Sequence, residues 1–286
     1  MDTSITTGTA HQRRAIRMRR SALMDQDFSD VDQAIVKRAE TRDELEQALS
    51  LVYREYLRQG YIAETNASKI YSSIYHILPE TAVHIWKSRL TVSGTVTQIF
   101  DSRLFGLPMD GLYHDELTAL REANRKLSEI SALAISGQVR WCNLFMYLFR
   151  AVYRYARVKK VTDFCIMVNP KHVDFYKAIL LFEDLGPERY YPRVSAPAVA
   201  LRLNLEDIED KFREAYSAFH FDRDLHSFFF GESDSPMIKR NRKYPLETGT
   251  VLDADMVRYF FAEKTKVLEN IPPKQMNYIQ SVYPGL

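Results

Sequence analysis

The chain has 286 residues, 46% hydrophobic and 27% charged, and 39 basic against 37 acidic side chains leave a net charge of +2. That composition excludes global disorder, and so small a charge gives no general affinity for nucleic acid or a membrane surface. Two cysteines, Cys142 and Cys165, cannot frame a disulfide scaffold, and without paired Cys/His spacing no metal site is expected, so a reducing cytoplasm is the expected compartment.

Residues 1–33 are polar and carry a basic cluster, HQRRAIRMRR at 11–20, which reads as a flexible tail. No apolar stretch follows these arginines, as a secretory signal requires, and no run approaches the roughly 18 apolar residues of an integral membrane segment. Order is expected from Ala34, where AIVKRA is short and β-branched. Thr41 and Glu44 form a capping box. It opens a helix with Leu45, Leu49, Val52, Tyr53 and Tyr56 at helical spacing and Gly60 at its end. Residues 81–100 read as a hairpin turning near Arg89 and Leu90. Val92, Val96 and Gln98 are expected on one face, Thr95, Thr97 and Ile99 on the other. Gly94 inside the second arm implies a bulge or a close backbone approach.

A turn-rich stretch, DSRLFGLPMDGLY, leads to a charged helix over 114–126 and an inner strand, SEISALAIS, at 128–136. A helix over 140–159 follows, with Leu144, Phe145, Leu148, Val152 and Tyr155 on one stripe. DFCIMV at 163–168 is continuously apolar, as in a strand buried on both faces. Asn169 and Pro170 cap the next helix, and EDLGPERYYPRV and APAVALRLNL give two more strands. A crossover helix makes the fourth and fifth strands parallel. The fold class is α/β with a mixed sheet, in an ordered domain over 34–205. Residues 206–286 read as a C-terminal helical appendage, with helices near 205–219 and 253–268.

This element order resembles the GCN5-related N-acetyltransferase fold, a mixed, splayed β-sheet flanked by helices. Local motifs narrow the resemblance: Gly94-Thr95, Asp101-Ser102, GLPMD at 106–110, an acidic-to-arginine helix from Glu116 to Arg121, and Glu129 with Ser131. With VNPKHVDFYKAILLFEDLG and APAVAL, the chain resembles the N-acyl amino acid synthase family over 34–205. It departs at Leu181 and Asn124, where glycine is usual, and at Arg103, where proline is. The resemblance implies that an amino acid's α-amine attacks the thioester of a long-chain acyl group on acyl carrier protein. The products are an N-acyl amino acid and the free carrier thiol. Tyrosine is one amino acid the family suggests, and no tightly bound cofactor is expected beyond the donor's own phosphopantetheine.

Amide formation from a thioester needs a base for the amine proton, donors for the oxyanion and an acid for the leaving thiolate. Glu129 is the candidate base, at the point where the sheet of this fold splays, and Ser131 shares its face. Tyr176 is the candidate acid. Asp101, Arg103 and Asp110, in the loop after the hairpin, are candidates to grip the amino acid's ammonium and carboxylate. Gly137, Arg140, Asn169 and His172 are candidates for the donor's phosphopantetheine. SGQVRW at 136–141 holds one glycine where enzymes that use coenzyme A carry a glycine-rich pyrophosphate loop, which favours a carrier-protein donor with its single phosphate. Two basic sets are candidate docking surfaces for an acidic carrier: Arg150, Arg154, Arg157, Lys159 and Lys160, and Lys239, Arg240, Arg242 and Lys243. Phe228, Phe229 and Phe230, with Phe219 and Phe221, are candidates to line an acyl tunnel. Two alternatives stand beside this reading. One is an acyl-homoserine-lactone-type synthase. The other is a non-catalytic fold that binds a carrier protein, or nucleic acid through its tail.

Overall fold

Strands β1 (Ala34–Arg38), β2 (Ala82–Ser88), β3 (Thr91–Phe100), β4 (Leu127–Ile135), β5 (Asp163–Val168), β6 (Glu183–Tyr191) and β7 (Ala196–Asn204) form one sheet, in the order β1-β2-β3-β4-β5-β7-β6. The structure is a computed structural model and describes residues 14–15, 34–64, 68–137, 141–216, 225–230 and 252–286. Neighbouring strands run antiparallel except β4 and β5, which are parallel as the crossover requires.

Helices α1 (Arg42–Arg58) and α2 (Asp110–Glu122) pack on one face of the sheet, and α3 (Trp141–Val158) and α4 (Pro170–Ile179) on the other. The capping box at Thr41 is present: Glu44 N donates to Thr41 Oγ1 at 3.2 Å, and Glu44 reaches back to the Thr41 amide. The expected α3 stripe, from Leu144 to Tyr155, is buried throughout. Asn169 caps α4, with Pro170 in its first turn. Helix α2 begins at Asp110, four residues before the expected start, because the GLPMD turn itself winds into it.

The β3 pleat departs from simple alternation. The pairing shifts between Trp86 and Lys87, so one extra β3 residue is accommodated between Gly94 and Val92. Val92 therefore joins the α1 face, while Val96 stays on the α3 face. Gly94 lies at this bulge, and a Cβ there would meet Leu144 Cδ2 at 2.2 Å.

Three helices end in the same reverse turn. The amides of Tyr61, Arg125 and Val161 reach back five residues to Tyr56, Leu120 and Ala156, around Gly60, Asn124 and Lys160 at positive φ. Asn124 (φ 57°) and Leu181 (φ 62°), where the resemblance leads to an expectation of glycine, both hold a backbone conformation that glycine adopts most readily.

Residues expected as one appendage contribute to two cores on opposite faces. Helices α5 (Ile208–Tyr216) and α6 (Leu225–Phe230) pack against α3. Helix α7 (Ala254–Val257), the π-helical turn Arg258–Lys264 and α8 (Pro273–Val282) pack against α1 and β2. Phe228 meets Tyr147, and Phe229 meets Phe149 and Phe212, so this aromatic run is packing in the α3 core. Phe219 and Phe221 lie outside the described residues.

Candidate active site

The site forms where β4 and β5 part. Their ladder runs from Leu127↔Asp163 to Glu129↔Cys165 and ends there, although both strands continue. On its other side β4 stays paired with β3, but one extra residue is accommodated between Ser131 and Ala134, with Ala132 at φ 49°. This bulge turns the second half of β4 away from β5 and opens a cavity of about 350 Å³ between the strands.

Glu129 is the last β4 residue paired with β5 and is 1% exposed. Burial pushes its carboxyl up to about 8, against the pull of the Met109 amide, which donates to Oε2 at 2.9 Å. A carboxyl so placed exchanges a proton near neutral pH. Ser131 shares the Glu129 face, since their β3 partners are Thr97 and Ile99. Tyr176, on α4, comes into the same cavity from β5's side, and burial alone raises its phenol above the ordinary range.

A family model described as N-acyl amino acid synthase FeeM matches residues 47–204, more than half of the chain. The chain belongs to the FeeM N-acyl amino acid synthase family. Among solved structures it is similar to FeeM, an N-acyl amino acid synthase from uncultured soil microbes, at 27% identity and a TM-score of 0.55, covering 62% of this chain and 94% of that one. Lower likenesses are the AHL synthase LasI (18% identity, TM-score 0.45, 60% and 89% covered) and an N-acetyltransferase from Staphylococcus aureus Mu50 (14%, 0.40, 60% and 98%). A comparison with curated proteins finds no match. The protein is thus an N-acyltransferase on a mixed sheet, an N-acyl amino acid synthase with an acyl donor and an amino-acid acceptor.

In this synthase, Glu129, Ser131, Tyr176, Asn169 and His172 all line the cavity. Asn169 is occupied as the α4 cap, accepting from the Lys171 amide at 3.2 Å. His172 has its pKa lowered, mainly by burial. Gly137 lies outside the cavity wall, and its Cα position faces Arg58. Arg140 lies outside the described residues.

Asp101 and Asp110 take a different place. Both are gripped by Arg121: Nε and Nη2 reach Asp101 at 2.7 and 2.8 Å, while Nη1 and Nη2 reach Asp110 at 2.7 Å each. Asp110 also accepts the Leu107 amide at 2.6 Å. This double fork fixes the 101–110 loop, and the loop delivers the Met109 amide to Glu129. Arg103 is exposed and lies off the cavity wall. Of the basic sets, Arg150 is buried against Phe228 and Lys159 pairs with Glu80. Lys239, Arg240, Arg242 and Lys243 lie outside the described residues.

Four cavity groups escape a reading by motif. Tyr56 and Tyr71 pack with tilted rings, their centroids 4.9 Å apart, on the α1 wall. His76 sits in the short 3-10 turn Ile74–Ile77, and Arg193 in the turn Pro192–Val194 between β6 and β7. Their segments carry no spacing that marks them. Only the sheet brings residues 71–76 and 193 to the mouth of the β4–β5 gap.

Among the described residues, no helix is long and apolar enough to cross a membrane, and no cluster of three or more His, Cys, Asp or Glu residues is arranged to hold a metal.

Proposed function

We propose that this synthase moves a long-chain acyl group from the phosphopantetheine of an acyl carrier protein to the α-amine of an amino acid, by direct attack on the thioester. The observation that carries the reading is Glu129, a buried carboxyl held at about 8 where the sheet opens. A peptide α-amine has a pKa of about 8, and a free amino acid's own carboxylate raises it further, so Glu129, raised well above an ordinary carboxyl, is far closer in proton affinity to the acceptor amine than an unperturbed glutamate. Ionised Glu129 takes the amine proton, directly or through a water held by Ser131. The nitrogen lone pair adds to the thioester carbon, the C–S bond breaks, the leaving sulfur takes the Tyr176 phenol proton, and the second proton that the nitrogen sheds as the amide forms restores the phenol. Beyond Glu129, the edge of β4 released from β5 offers backbone N–H groups to the oxyanion.

A smaller apolar cavity shares Ile130, Leu133 and Tyr176 with the main one and continues between Val96, Phe145 and Leu148. At about 10 Å³ it has room for one water-sized group, so the acyl chain is assigned to the main cavity of about 350 Å³. The single glycine at 136–141 supports a donor with one phosphate. Tyrosine is the first acceptor to try, since the wall built by Tyr56 and Tyr71 offers aromatic faces.

The test incubates the purified chain with palmitoyl–acyl carrier protein and each L-amino acid, following amide by mass spectrometry and free thiol by colorimetry. One amide per thiol is expected. A lactone product, thiol release without amide, or a stronger preference for palmitoyl–coenzyme A overturns the corresponding part of the reading.

A further inference from the structure

The cavity holds a cation that no described acidic side chain neutralises. Arg193 forms no ion pair among the described residues, and its electrostatic neighbours are the phenols of Tyr71, Tyr191 and Tyr75. Of the two cavity carboxyls, Glu55 pairs with Arg58, and Glu129 is kept largely protonated by burial, with Arg193 acting on it only as a minor coulombic pull. A guanidinium at the mouth of a cavity, facing phenols, is suited to an anion from outside.

His76 supplies a second donor on the wall of the same cavity, close enough to feel the Arg193 charge. It is 5% exposed. Its Nδ1 accepts from the Ser73 amide at 3.1 Å, with the Ser73 hydroxyl at 3.0 Å. An amide can only donate, so Nδ1 carries no proton. Burial, helped by the Arg193 charge, pushes the ring down to about 4, so it is neutral at pH 7. The one proton of the neutral ring is therefore on Nε2. That N–H has only the Thr97 hydroxyl nearby, at 3.5 Å, too long for a good hydrogen bond, and both residues line the cavity.

We propose that His76 and Arg193 together bind the α-carboxylate of the acceptor amino acid. The guanidinium supplies charge and a planar pair of donors, and the fixed imidazole N–H supplies a third donor that cannot titrate away near neutral pH. With the carboxylate held there, the α-amine one carbon away turns toward Glu129. The free carboxylate becomes the feature by which the enzyme tells an amino acid from any other primary amine. This inference rests on the acyl-transfer reading for its substrate class but makes its own binding prediction.

The test measures equilibrium binding by calorimetry, without acyl donor, of L-tyrosine, L-phenylalanine, L-leucine and glycine, each against its α-carboxamide. Turnover with palmitoyl–acyl carrier protein is measured in parallel. At least one acid should bind and react at least about 100-fold better than its amide, because a site built for a charged group rejects an analogue that lacks it. Arg193→Gln should raise the acid's KM at least about tenfold, the range of a charged hydrogen bond, and lower the acid's kcat/KM far more than the amide's, so that the acid-over-amide preference collapses. Arg193→Lys should recover part of the preference. His76→Gln should also narrow it, and an unchanged KM in that variant removes His76 from the site. An amide that binds as well as its acid, no binding by any of the four acids, or a preference intact in Arg193→Gln overturns the proposal. Carboxylate-dependent binding without amide product supports this site and overturns the reaction assigned above.

Discussion

Replacing Glu129 with Gln separates what the fold gains from what the chemistry needs. Gln keeps the size of the side chain and an oxygen for the Met109 amide, which now reaches Oε2 at 2.9 Å. It removes only the titration. The carboxyl is raised from 4.5 to about 8, so between those values the folded chain holds a proton that the unfolded chain has released. Stability then falls as pH rises through this window, at ~1.4 kcal/mol per unit for this group. By pH 8 the ionised side chain costs the fold on the order of 5 kcal/mol relative to its neutral form. Glu129→Gln carries no such penalty. Its Tm should match the parent at pH 5, exceed it increasingly from there to pH 8, and level off above, with a gap of roughly 10 °C at about 2 °C per kcal/mol for a chain of this size. Differential scanning calorimetry at half-unit steps of pH reads this directly. Turnover should move the other way, falling by about 10²–10⁴, while the parent's kcat/KM should rise with pH to a plateau above about 8. A Tm difference that is flat from pH 5 to 9 refutes the buried-carboxyl argument. Full activity in the variant refutes the base.

Other outcomes follow from the same contacts. Tyr176→Phe keeps the ring packing against Phe145 and Phe182 and should lower kcat by roughly 10²-fold with the acceptor KM unchanged, measured with a poor thiol leaving group; equal rates would remove the phenol from protonation of the thiolate. Arg121→Lys loses the double fork on Asp101 and Asp110 and should destabilise the chain by about 1–3 kcal/mol in urea, with kcat reduced because the Met109 amide is less well held. Glu44 is 3% exposed; burial alone would raise it, but the Glu40 amide and the Lys87 and Lys37 ammonium groups hold it at about 2. Its stabilisation is therefore present above the unfolded value of 4.5 and is lost as pH falls toward 2, and Glu44→Gln should cost about 3 kcal/mol at pH 7 and flatten the acid limb of the stability curve. Gly94→Val should cost about 1–3 kcal/mol by denaturant melts, since its Cβ would meet the buried Leu144 side chain at 2.2 Å with Leu148 3.3 Å away.

Much of the architecture lay in local pattern. The Thr41 capping box, the α3 stripe, the β5 run and the Asn169-Pro170 cap are short-range devices, and each appears at its expected place. Ser131 and Glu129 share a face because alternation along a strand needs no tertiary information. The GLPMD turn could not show that Asp101 and Asp110 would meet Arg121, and so serve the loop, because that contact joins residues up to 20 apart across two elements. Alternation failed at Val92, where a bulge reversed it.

The sequence by itself determined the strands and main helices of residues 34–205, their order, and the carboxyl and phenol placed near the start of β4 and on α4, since periodicity, caps and turns act over a few residues. Tertiary structure decided the rest. The raised pKa of Glu129 comes from its burial by the sheet and the 101–110 loop, and a carboxyl's solvation is not written in its neighbours along the chain. The meeting of His76 and Arg193, 117 positions apart, depends on the β4–β5 splay and on the turn between β6 and β7, so only the folded sheet could bring that imidazole and that guanidinium to one cavity.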